Sequence, residues 1–444
     1  MTSNKIDTAI EWIGEIPVNW TYCRFKDVVN LYVGNSIKDE DKDNYCDNVD
    51  ARSYISSKDI DLSFNTINYD NGLYIKNYDL NFRIAPKFST LMCIEGGSAG
   101  RKKAITLNDV SFVNKLCCFV PKNNDLDYKY LYYFLCSPNY EDYFFSQMTG
   151  LIGGVSISKL NDFNILLPPL KEQRNICKFL DNRITPIDEA IKESYSLINK
   201  YEDYKHSLTT EIVTRGLDDE VELEDSGVDW IGEIPKFWKL NKIKNLCYVK
   251  GRIGWQGLTS NEYSDEGAYL VTGTDFKDGR VDWDNCNHIS YERYEQDPYI
   301  QLKEGDLLIT KDGTIGKLAL VKNIPDKTTL NSGIFLVRPL NNEYTNNYLY
   351  WVLYSNVFVN FFDYIKSGST ISHLYQKTFG DFTFPYPSID KQIEISNYLN
   401  KRCNFIDSLI FKKQNLIDKL EEYKQSLIFE YVTGKKRVEN EVKY

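Results

Sequence analysis

The sequence predicts an α+β protein of two tandem, pseudo-symmetric units. Each unit is a mixed α/β globular domain followed by a long helix, and the two helices pair as an antiparallel coiled coil. Two repeated phrases predict this arrangement. Residues 12–17 (Trp-Ile-Gly-Glu-Ile-Pro) return at 230–235, and the block at 204–208 returns in matching form at 423–427. The nearly constant offset indicates two copies of one unit of roughly 215 residues, which is too long and too few for a solenoid.

Short segments bounded by Gly, Asp and Asn dominate each globular domain. Segments such as 269–272, 306–310 and 318–321 are β-branched or aromatic and predict strands. One helical stretch intervenes in each copy, at 128–135 and at 348–354. The globular parts are therefore mixed α and β, with strands dominant.

The pattern becomes helical after the prolines at 168–169 and at 385–387, because proline commonly precedes a helix. A short amphipathic turn and then a helix of about 28 residues are expected in each copy, with Pro186 near the start of the first long helix. Apolar residues recur in alternating steps of three and four, which is typical of a coiled-coil seam. The first seam comprises Ile184, Ile187, Ile191, Ser194, Ile198, Tyr201, Lys205, Leu208 and Ile212. The second comprises Cys403, Ile406, Ile410, Lys413, Ile417, Leu420, Lys424, Leu427 and Tyr431.

The two seams carry polar residues at matching positions, namely Ser194 or Lys413 and Lys205 or Lys424. Buried polar residues in a coiled coil fix register and partner number. An antiparallel pair of such helices, on the order of 40 Å long, spans about one turn of B-DNA. Two like domains held one turn apart would face the same side of a duplex.

The predicted domain boundaries follow these changes of pattern. They are listed in order as globular domain 1 at 1–168, helix region 1 at 169–216, an acidic linker at 217–229, globular domain 2 at 230–386, helix region 2 at 387–437 and a tail at 438–444. The net charge of −10 owes much to seven acids without a base between positions 218 and 229. The rest of the chain is close to neutral, so a local basic face is compatible with the total.

Composition narrows the class of protein. No run of 18 apolar residues predicts a membrane span, and the first residues do not resemble a secretory leader. The ten cysteines include no Cys-x-x-Cys pair, which argues against zinc and against a disulfide framework. We therefore expect a cytoplasmic protein with reduced thiols and no membrane partner.

Motifs for chemistry are missing from the sequence. There is no Asn/Asp-Pro-Pro-aromatic phrase of an adenine methyltransferase, and the three histidines, His206, His288 and His373, lie far apart. The Gly-rich segments at 96–100 and 313–316 match each other and predict a shared loop better than a phosphate loop, which would need a different pattern. We expect no catalytic residue, no metal and no cofactor.

The order of these elements resembles the specificity subunits of type I restriction–modification systems. The resemblance covers nearly the whole chain and includes the repeated opening phrase, Leu-Pro-Pro-Leu-Lys-Glu-Gln at 167–173, and the phrases at 252–259 and 305–317. It implies that each globular unit is a target recognition domain reading half of a split, asymmetric DNA sequence. It also implies that the helices set the gap and dock two adenine methyltransferase subunits, and through them motor-nuclease subunits, while the chain itself performs no chemistry.

Candidate DNA contacts are basic and polar residues in loops, because phosphates attract Lys and Arg and base edges are read by polar side chains. For each one alone, a solvated surface is the simpler interpretation. As a set, with the resemblance, they predict binding to double-stranded DNA. They are Arg52, Lys58, Arg101, Lys102, Lys103, Arg252, Trp255, Gln256, Lys311, Thr314, Lys317, Ser369 and Thr370.

Candidate subunit contacts lie on the helix regions, whose sequences match while the globular parts differ. They are Gln173, Tyr204, Lys205, Leu208, Gln392, Tyr423, Lys424 and Leu427. Two other functions stay open at this point: a stand-alone restriction enzyme, and a coiled-coil scaffold without a nucleic acid partner. The first would need a nuclease or methyltransferase centre, and the second would show no salt-dependent DNA binding.

Overall fold

A computed structural model describes residues 5–150, 153–218, 220–252, 258–365 and 373–438. The chain forms two compact units. Unit 1 comprises Met1–Tyr195 and Gln414–Tyr444, and unit 2 comprises Ser196–Lys413. Each unit therefore contains one globular domain together with part of both long helices.

The described part of unit 1 begins with twelve strands and four short α-helices. The strands are β1 (Lys5–Asp7), β2 (Glu15–Pro17), β3 (Thr21–Arg24), β4 (Val29–Val33), β5 (Ala51–Ile55), β6 (Tyr74–Lys76), β7 (Ile84–Ala85), β8 (Thr90–Cys93), β9 (Lys103–Ile105), β10 (Val110–Phe112), β11 (Leu116–Pro121) and β12 (Asn164–Leu167). The helices are α1 (Phe25–Val28), α2 (Tyr128–Leu135), α3 (Pro138–Ser146) and α4 (Ile157–Asn161), and the long helix α5 (Leu170–Arg215) follows β12.

The described part of unit 2 follows a similar order with one more strand and one more short α-helix. Its strands are β13 (Leu223–Asp225), β14 (Glu233–Pro235), β15 (Lys239–Lys242), β16 (Cys247–Lys250), β17 (Ala268–Val271), β18 (Phe276–Lys277), β19 (Arg280–Val281), β20 (Asn287–Ile289), β21 (Leu307–Thr310), β22 (Leu318–Leu320), β23 (Thr328–Leu330), β24 (Ile334–Pro339) and β25 (Thr383–Tyr386). The helices are α6 (Ile243–Leu246), α7 (Tyr291–Glu295), α8 (Asn346–Tyr354), α9 (Asn356–Ile365), α10 (Gln376–Gly380) and the long α11 (Ile389–Val432).

The main sheets of the two units share an antiparallel centre. In unit 1 the order is β4-β11-β8-β9, and in unit 2 it is β16-β24-β21-β22, extended by β19 and β18. A second sheet of mixed direction accompanies each one, β6-β5-β10-β7 in unit 1 and β20-β17-β23 in unit 2. The first four residues of β11 and of β24, in the middle of the main sheets, are buried, and α2 and α8 pack beside these strands. The predicted mixed α and β class is confirmed.

The repeated Trp-Ile-Gly-Glu-Ile-Pro phrase forms a hairpin corner in both units. Gly14 (φ 70°) and Gly232 (φ 79°) occupy the left-handed region that favours glycine. Trp12 stacks on Tyr143 with ring centroids 4.7 Å apart, and the ring of Trp230 lies 5.0 Å from that of Phe361. In both units the tryptophan of the phrase therefore packs the first hairpin against a helix, α3 in unit 1 and α9 in unit 2.

The first hairpin of unit 2 includes part of the acidic segment that was predicted to be a linker. Leu223–Asp225 pairs with Glu233–Pro235, as Lys5–Asp7 pairs with Glu15–Pro17 in unit 1. Part of the predicted linker is therefore the first strand of the second copy. Its acids lie on an exposed strand, where charge is well solvated.

The two long helices pair in antiparallel fashion within each unit. In unit 1, Lys424 Nζ lies 2.6 Å from Asp188 Oδ1, and in unit 2 Lys205 Nζ lies 2.7 Å from Asp407 Oδ1. Position numbers rise along α5 as they fall along α11, which confirms the predicted antiparallel pair. Two of the polar positions of the seam, Lys205 and Lys424, thus form equivalent ion pairs.

The expected break between a short turn and a longer helix is wrong. Helix α5 is one continuous helix of 46 residues with Pro186 inside it, and α11 has 44 residues. Proline removes one backbone donor and crowds the preceding turn. Buried Ile184 and Ile187 flank Pro186 and pack in the seam, so tertiary contact holds the helix through the proline.

Gln173 and Gln392 join the start of each long helix to its globular domain. The Oε1 atom of Gln173 accepts from Asp127 N at 2.8 Å, and its Nε2 donates to the carbonyls of Asp125 and Pro168. Gln392 repeats this pattern: its Oε1 accepts from Thr345 N at 2.9 Å, and its Nε2 donates to Glu343 O and Pro387 O. Both side chains are fully buried. An amide supplies acceptor and donor together, which explains why both copies use Gln.

We predict that Lys205→Asp lowers the thermal unfolding midpoint, because it places two carboxylates together in the seam of unit 2. The loss should be about 1 kcal/mol, since the partner Asp407 is half exposed. The double variant Lys205→Asp/Asp407→Lys should recover most of the midpoint, and Lys412→Asp on the exposed face is the control. Absence of recovery in the double variant would contradict a register role for this pair.

We predict that Gln392→Leu destabilises the chain by about 3 kcal/mol, because one amide N–H and two carbonyls lose their buried partner. Urea unfolding of this variant is compared with that of Gln414→Leu, which replaces an exposed glutamine of the same helix. Equal stability of the two variants would show that Gln392 has no structural role.

Candidate nucleic-acid interface

One hairpin loop in each unit carries the exposed polar residues expected of a DNA contact. In unit 2 the loop lies between β21 and β22, where Lys317 N donates to Thr310 Oγ1 at 2.9 Å and Thr310 Oγ1 donates to Thr314 O at 2.5 Å. Gly316 (φ 87°) permits the reversal. These bonds hold the loop so that Thr314 and Lys317 are exposed.

The equivalent loop of unit 1 lies between β8 and β9. Gly100 (φ 72°) permits the turn, and Gly100 N donates to Cys93 O at 2.8 Å. Arg101 is exposed at the position of Lys317, with its guanidinium 5.7 Å from the centre of the Phe145 ring. The two Gly-rich segments therefore occupy the same place in the two hairpins, as predicted.

A second segment of each unit adds to this loop through backbone hydrogen bonds. In unit 1, Gly96 N donates to Gly153 O at 2.8 Å and Val155 N donates to Ile94 O at 3.0 Å. In unit 2, Leu374 N donates to Lys311 O at 2.8 Å. The candidate surface in each unit thus consists of two joined loops on a rigid sheet.

Three further lysines of the predicted DNA contacts are half-buried or exposed. Lys102 donates from Nζ to Ser57 O at 2.8 Å, and Lys311 Nζ lies 5.2 Å from the centre of the Phe335 ring. Lys58 is exposed. Together with Arg101 and Lys317, these cations provide positive charge toward which phosphates are attracted.

Three predicted DNA contacts are buried and have structural partners. Arg52 donates to Ser111 Oγ at 2.7 Å and to backbone carbonyls, and burial lowers the pKa of its guanidinium. Lys103 donates to Leu135 O at 2.7 Å and to Glu141. Arg252, 1% exposed, donates to Leu330 O at 2.8 Å, and burial lowers its pKa. These contacts do not support a DNA role, which stays a prediction for these three residues.

Four other predicted contacts, Trp255, Gln256, Ser369 and Thr370, lie outside the described residues. Sequence reasoning also missed two side chains beside the loop of unit 2. His373 Nδ1 is paired with Asp312 Oδ1, and the ring of Tyr375, 65% exposed, lies 4.7 Å from that of His373. No motif surrounds these residues, so only their position beside the loop identifies them.

The predicted subunit contacts differ in how deeply their side chains are buried. Tyr204 and Tyr423 are 48% and 54% exposed, whereas Leu208 and Leu427 are buried in the seam. Lys205 and Lys424 form the ion pairs of the seam, and Gln173 and Gln392 join helix to domain. Only the two tyrosines of this set are exposed.

Metal-binding side chains do not form a site in the described part of the chain. No group of three or more His, Cys, Asp or Glu residues there is arranged to hold a metal ion. All ten cysteines are free, and eight of them are buried. Among the described residues, no helix is both long and apolar enough to cross a membrane.

Comparison with known proteins gives a consistent result. The chain is 25% identical over 435 residues to a protein of Methanocaldococcus jannaschii provisionally named the specificity subunit of the type I restriction enzyme MjaX, covering 96% of each chain. It is 21% identical over 415 residues to the EcoBI specificity subunit of Escherichia coli, covering 91% of this chain and 83% of that one.

A solved structure supports the fold. One chain of a structure titled as the basis of complex assembly and conformational transition of the type I R-M system superimposes with a TM-score of 0.67. The match covers 94% of this chain and 98% of that chain at 16% sequence identity.

The family itself is identified by its sequence profile. The type I restriction modification DNA specificity domain matches residues 17–200 and again residues 235–422, which is most of the chain. Both matches combine a globular domain with the long helix that follows it. The chain therefore belongs to the family of type I restriction–modification specificity subunits, and it contains two copies of the family's domain.

Proposed function

We propose that this chain is the non-catalytic DNA-reading subunit of a cytoplasmic type I restriction–modification complex. The observation that carries the proposal is the pair of equivalent hairpin loops, which present Arg101 in one copy and Thr314 and Lys317 in the other. Each recognition domain reads one half of a bipartite, asymmetric target. The loops occupy equivalent positions but differ in sequence, which fits two different half-sites.

Binding in this proposal combines two kinds of contact. Lys and Arg side chains contact phosphates and set the position of the domain, and polar loop side chains contact base edges and supply specificity. The antiparallel helices set the gap between the half-sites. The continuous helices and their two ion pairs support this role because they restrict sliding of one helix along the other.

The helices also dock two adenine methyltransferase subunits, and through them motor-nuclease subunits. Tyr204 and Tyr423 are equivalent residues on α5 and α11, and both are exposed. Exposed aromatic side chains are favoured at the centre of protein interfaces. Because each copy has one such exposed tyrosine, each copy can dock one methyltransferase subunit.

The direct test of the function is a methylation map of cells with and without this chain, expressed with its methyltransferase. Methylated adenines in one bipartite sequence should appear only when the chain is present. Methylation that is identical without the chain would refute the proposal.

We predict that Lys317→Ala and Arg101→Ala each weaken binding to duplex DNA and reduce the slope of log affinity against log salt by about 1, because each variant removes one phosphate contact. Fluorescence anisotropy across a salt series measures both quantities. Lys412→Ala, on the exposed face of α11, is the control. A salt-independent affinity of the unaltered chain would instead favour a scaffold without nucleic acid.

We predict that Tyr423→Ala weakens methyltransferase binding at least tenfold, as expected for an aromatic interface centre worth about 2 kcal/mol. The variant should keep the unfolding midpoint, because the side chain is exposed in the free chain. Co-purification and titration with the methyltransferase measure the loss, and Ser207→Ala on the same type of surface is the control. Unchanged binding by Tyr423→Ala and Tyr204→Ala together would place the docking site elsewhere.

A further inference from the structure

The segment that joins the β21–β22 loop of unit 2 carries two side chains that point outward. Leu374 N donates to Lys311 O at 2.8 Å, and the side chain of Leu374 is buried. Successive side chains of an extended segment point to opposite sides, so the neighbouring His373 and Tyr375 point away from the core. Tyr375 is accordingly exposed, and the side chain of His373 is 31% exposed. Both residues therefore add to the candidate DNA surface.

A carboxylate fixes the orientation of the His373 imidazole. Asp312 of the β21–β22 loop forms an antiparallel bridge with His373, and its Oδ1 atom is paired with His373 Nδ1. An ionised carboxylate only accepts hydrogen bonds, so Nδ1 carries the proton, and Nε2 of the neutral imidazole keeps its lone pair. Nε2 lies on the opposite edge of the ring, bonds to none of the described residues and is not sealed from solvent. His373 therefore presents an oriented hydrogen-bond acceptor.

Tyr375 packs against this imidazole. The two ring centroids are 4.7 Å apart, and the rings are inclined by 61°. Tyr375 occupies the N-cap position of α10 without a capping hydrogen bond from its side chain. In unit 1 the same position before α4 holds Ser156, whose hydroxyl accepts from Lys159 N at 3.4 Å. Because serine is the better N-cap residue, helix formation does not explain the tyrosine. Its ring instead restricts rotation of the imidazole.

Unit 1 has no counterpart of this imidazole and its carboxylate partner. Gly154 forms the bridge with Glu95 that His373 forms with Asp312 in unit 2. A Cβ atom at Gly154 would lie 3.0 Å from Ile94 O, which is a tight contact that favours glycine. The acceptor is thus a feature of unit 2 alone, as expected where the two units read different half-sites.

An acceptor of fixed orientation distinguishes bases by their amino groups. In the major groove the N6 amino group of adenine and the N4 amino group of cytosine are donors, whereas guanine O6 and thymine O4 are acceptors. The lone pair of an imidazole attracts the first two groups and repels the other two. The β21–β22 hairpin suits the major groove, about 12 Å wide, better than the minor groove of about 6 Å.

We propose that His373 reads one base of the half-site bound by unit 2. Its Nε2 atom accepts a hydrogen bond from the amino group of an adenine or a cytosine in the major groove. Asp312 is a positioning residue that keeps the proton on Nδ1, and Tyr375 holds the ring in place. This inference rests on the proposed DNA-reading function and adds the residue and the base group that it recognises.

The test removes single amino groups from the DNA. The full chain with its methyltransferase binds a duplex of the mapped target, in which each adenine is replaced in turn by purine and each cytosine by 2-pyrimidinone. Both analogues lack only the amino group. Fluorescence anisotropy is measured at about pH 8, because imidazole side chains are ordinarily neutral there. The unaltered chain should lose about threefold to tenfold in affinity at the position read by His373, the effect of one hydrogen bond.

The His373→Phe variant keeps a ring against Tyr375 and removes both ring nitrogens. It should show no loss at that one position and the usual loss at every other position, whereas a structural defect would weaken binding to all duplexes alike. His288→Phe is the matched control, because His288 is a half-buried histidine of the same unit that packs on Tyr269 with ring centroids 4.4 Å apart. This control should respond to the analogues as the unaltered chain does.

The Asp312→Asn variant tests the orientation of the proton separately. Its amide can donate to Nδ1 and leave the proton on Nε2, which turns the acceptor into a donor. At the position read by His373 this variant should prefer guanine or thymine. If His373→Phe lowers the unfolding midpoint, Asp312→Asn still tests the proposal, because an unchanged base preference overturns it.

The outcomes separate this inference from the function on which it rests. Binding without any base dependence in the unaltered chain refutes the DNA-reading function, and this inference with it. Base-dependent binding that His373→Phe retains at every position overturns this inference alone. A difference between the two chains that appears only when guanine is replaced by inosine, which lacks the minor-groove amino group, also overturns it.

Discussion

The antiparallel pairing of α5 and α11 is the constraint on which the rest of the structure depends. Neither globular domain is complete without it, because each compact unit includes a part of both helices. In unit 1 the hydroxyl of Tyr130 donates to Val432 O at 3.1 Å, and in unit 2 that of Tyr348 donates to Val213 O at 3.2 Å. Each domain thus rests on the carboxyl end of the long helix contributed by the other repeat.

This arrangement explains which parts of the repeat match and which differ. Residues that join domain to helix, such as Gln173 and Gln392, make the same hydrogen bonds in both units. Loop residues such as Arg101 and Thr314 lie on the surface, where substitution changes little in the core. A common frame with different loops is what two independent readers of unlike half-sites require.

Much of the fold was predictable from the sequence, because its signals are local or repeated. The offset between the two copies predicted the duplication, and the three-and-four spacing of apolar residues predicted the seam, including Lys205 and Lys424 as its polar positions. The continuity of α5 was not predictable, since Pro186 favours a break and only packing on both sides of it retains the helix.

The candidate site was less predictable, since burial decides the role of a charged side chain. Arg52 and Arg252 match a DNA-binding residue type, yet both are buried, and each donates to backbone carbonyls of distant segments. His373 has no motif around it, and its place beside Asp312 follows only from the fold. Such long-range contacts have no signal within a short window of sequence.

The most direct measurement is the target of a chain in which both readers are the same. Residues 233–386 are replaced by residues 15–167, which span β2 to β12, while α5 and α11 stay unchanged. Because each reader binds its own half-site in the proposed function, the account predicts methylation of a sequence that contains one original half-site twice, with the original gap. Methylation of the original asymmetric sequence by this chain would contradict it.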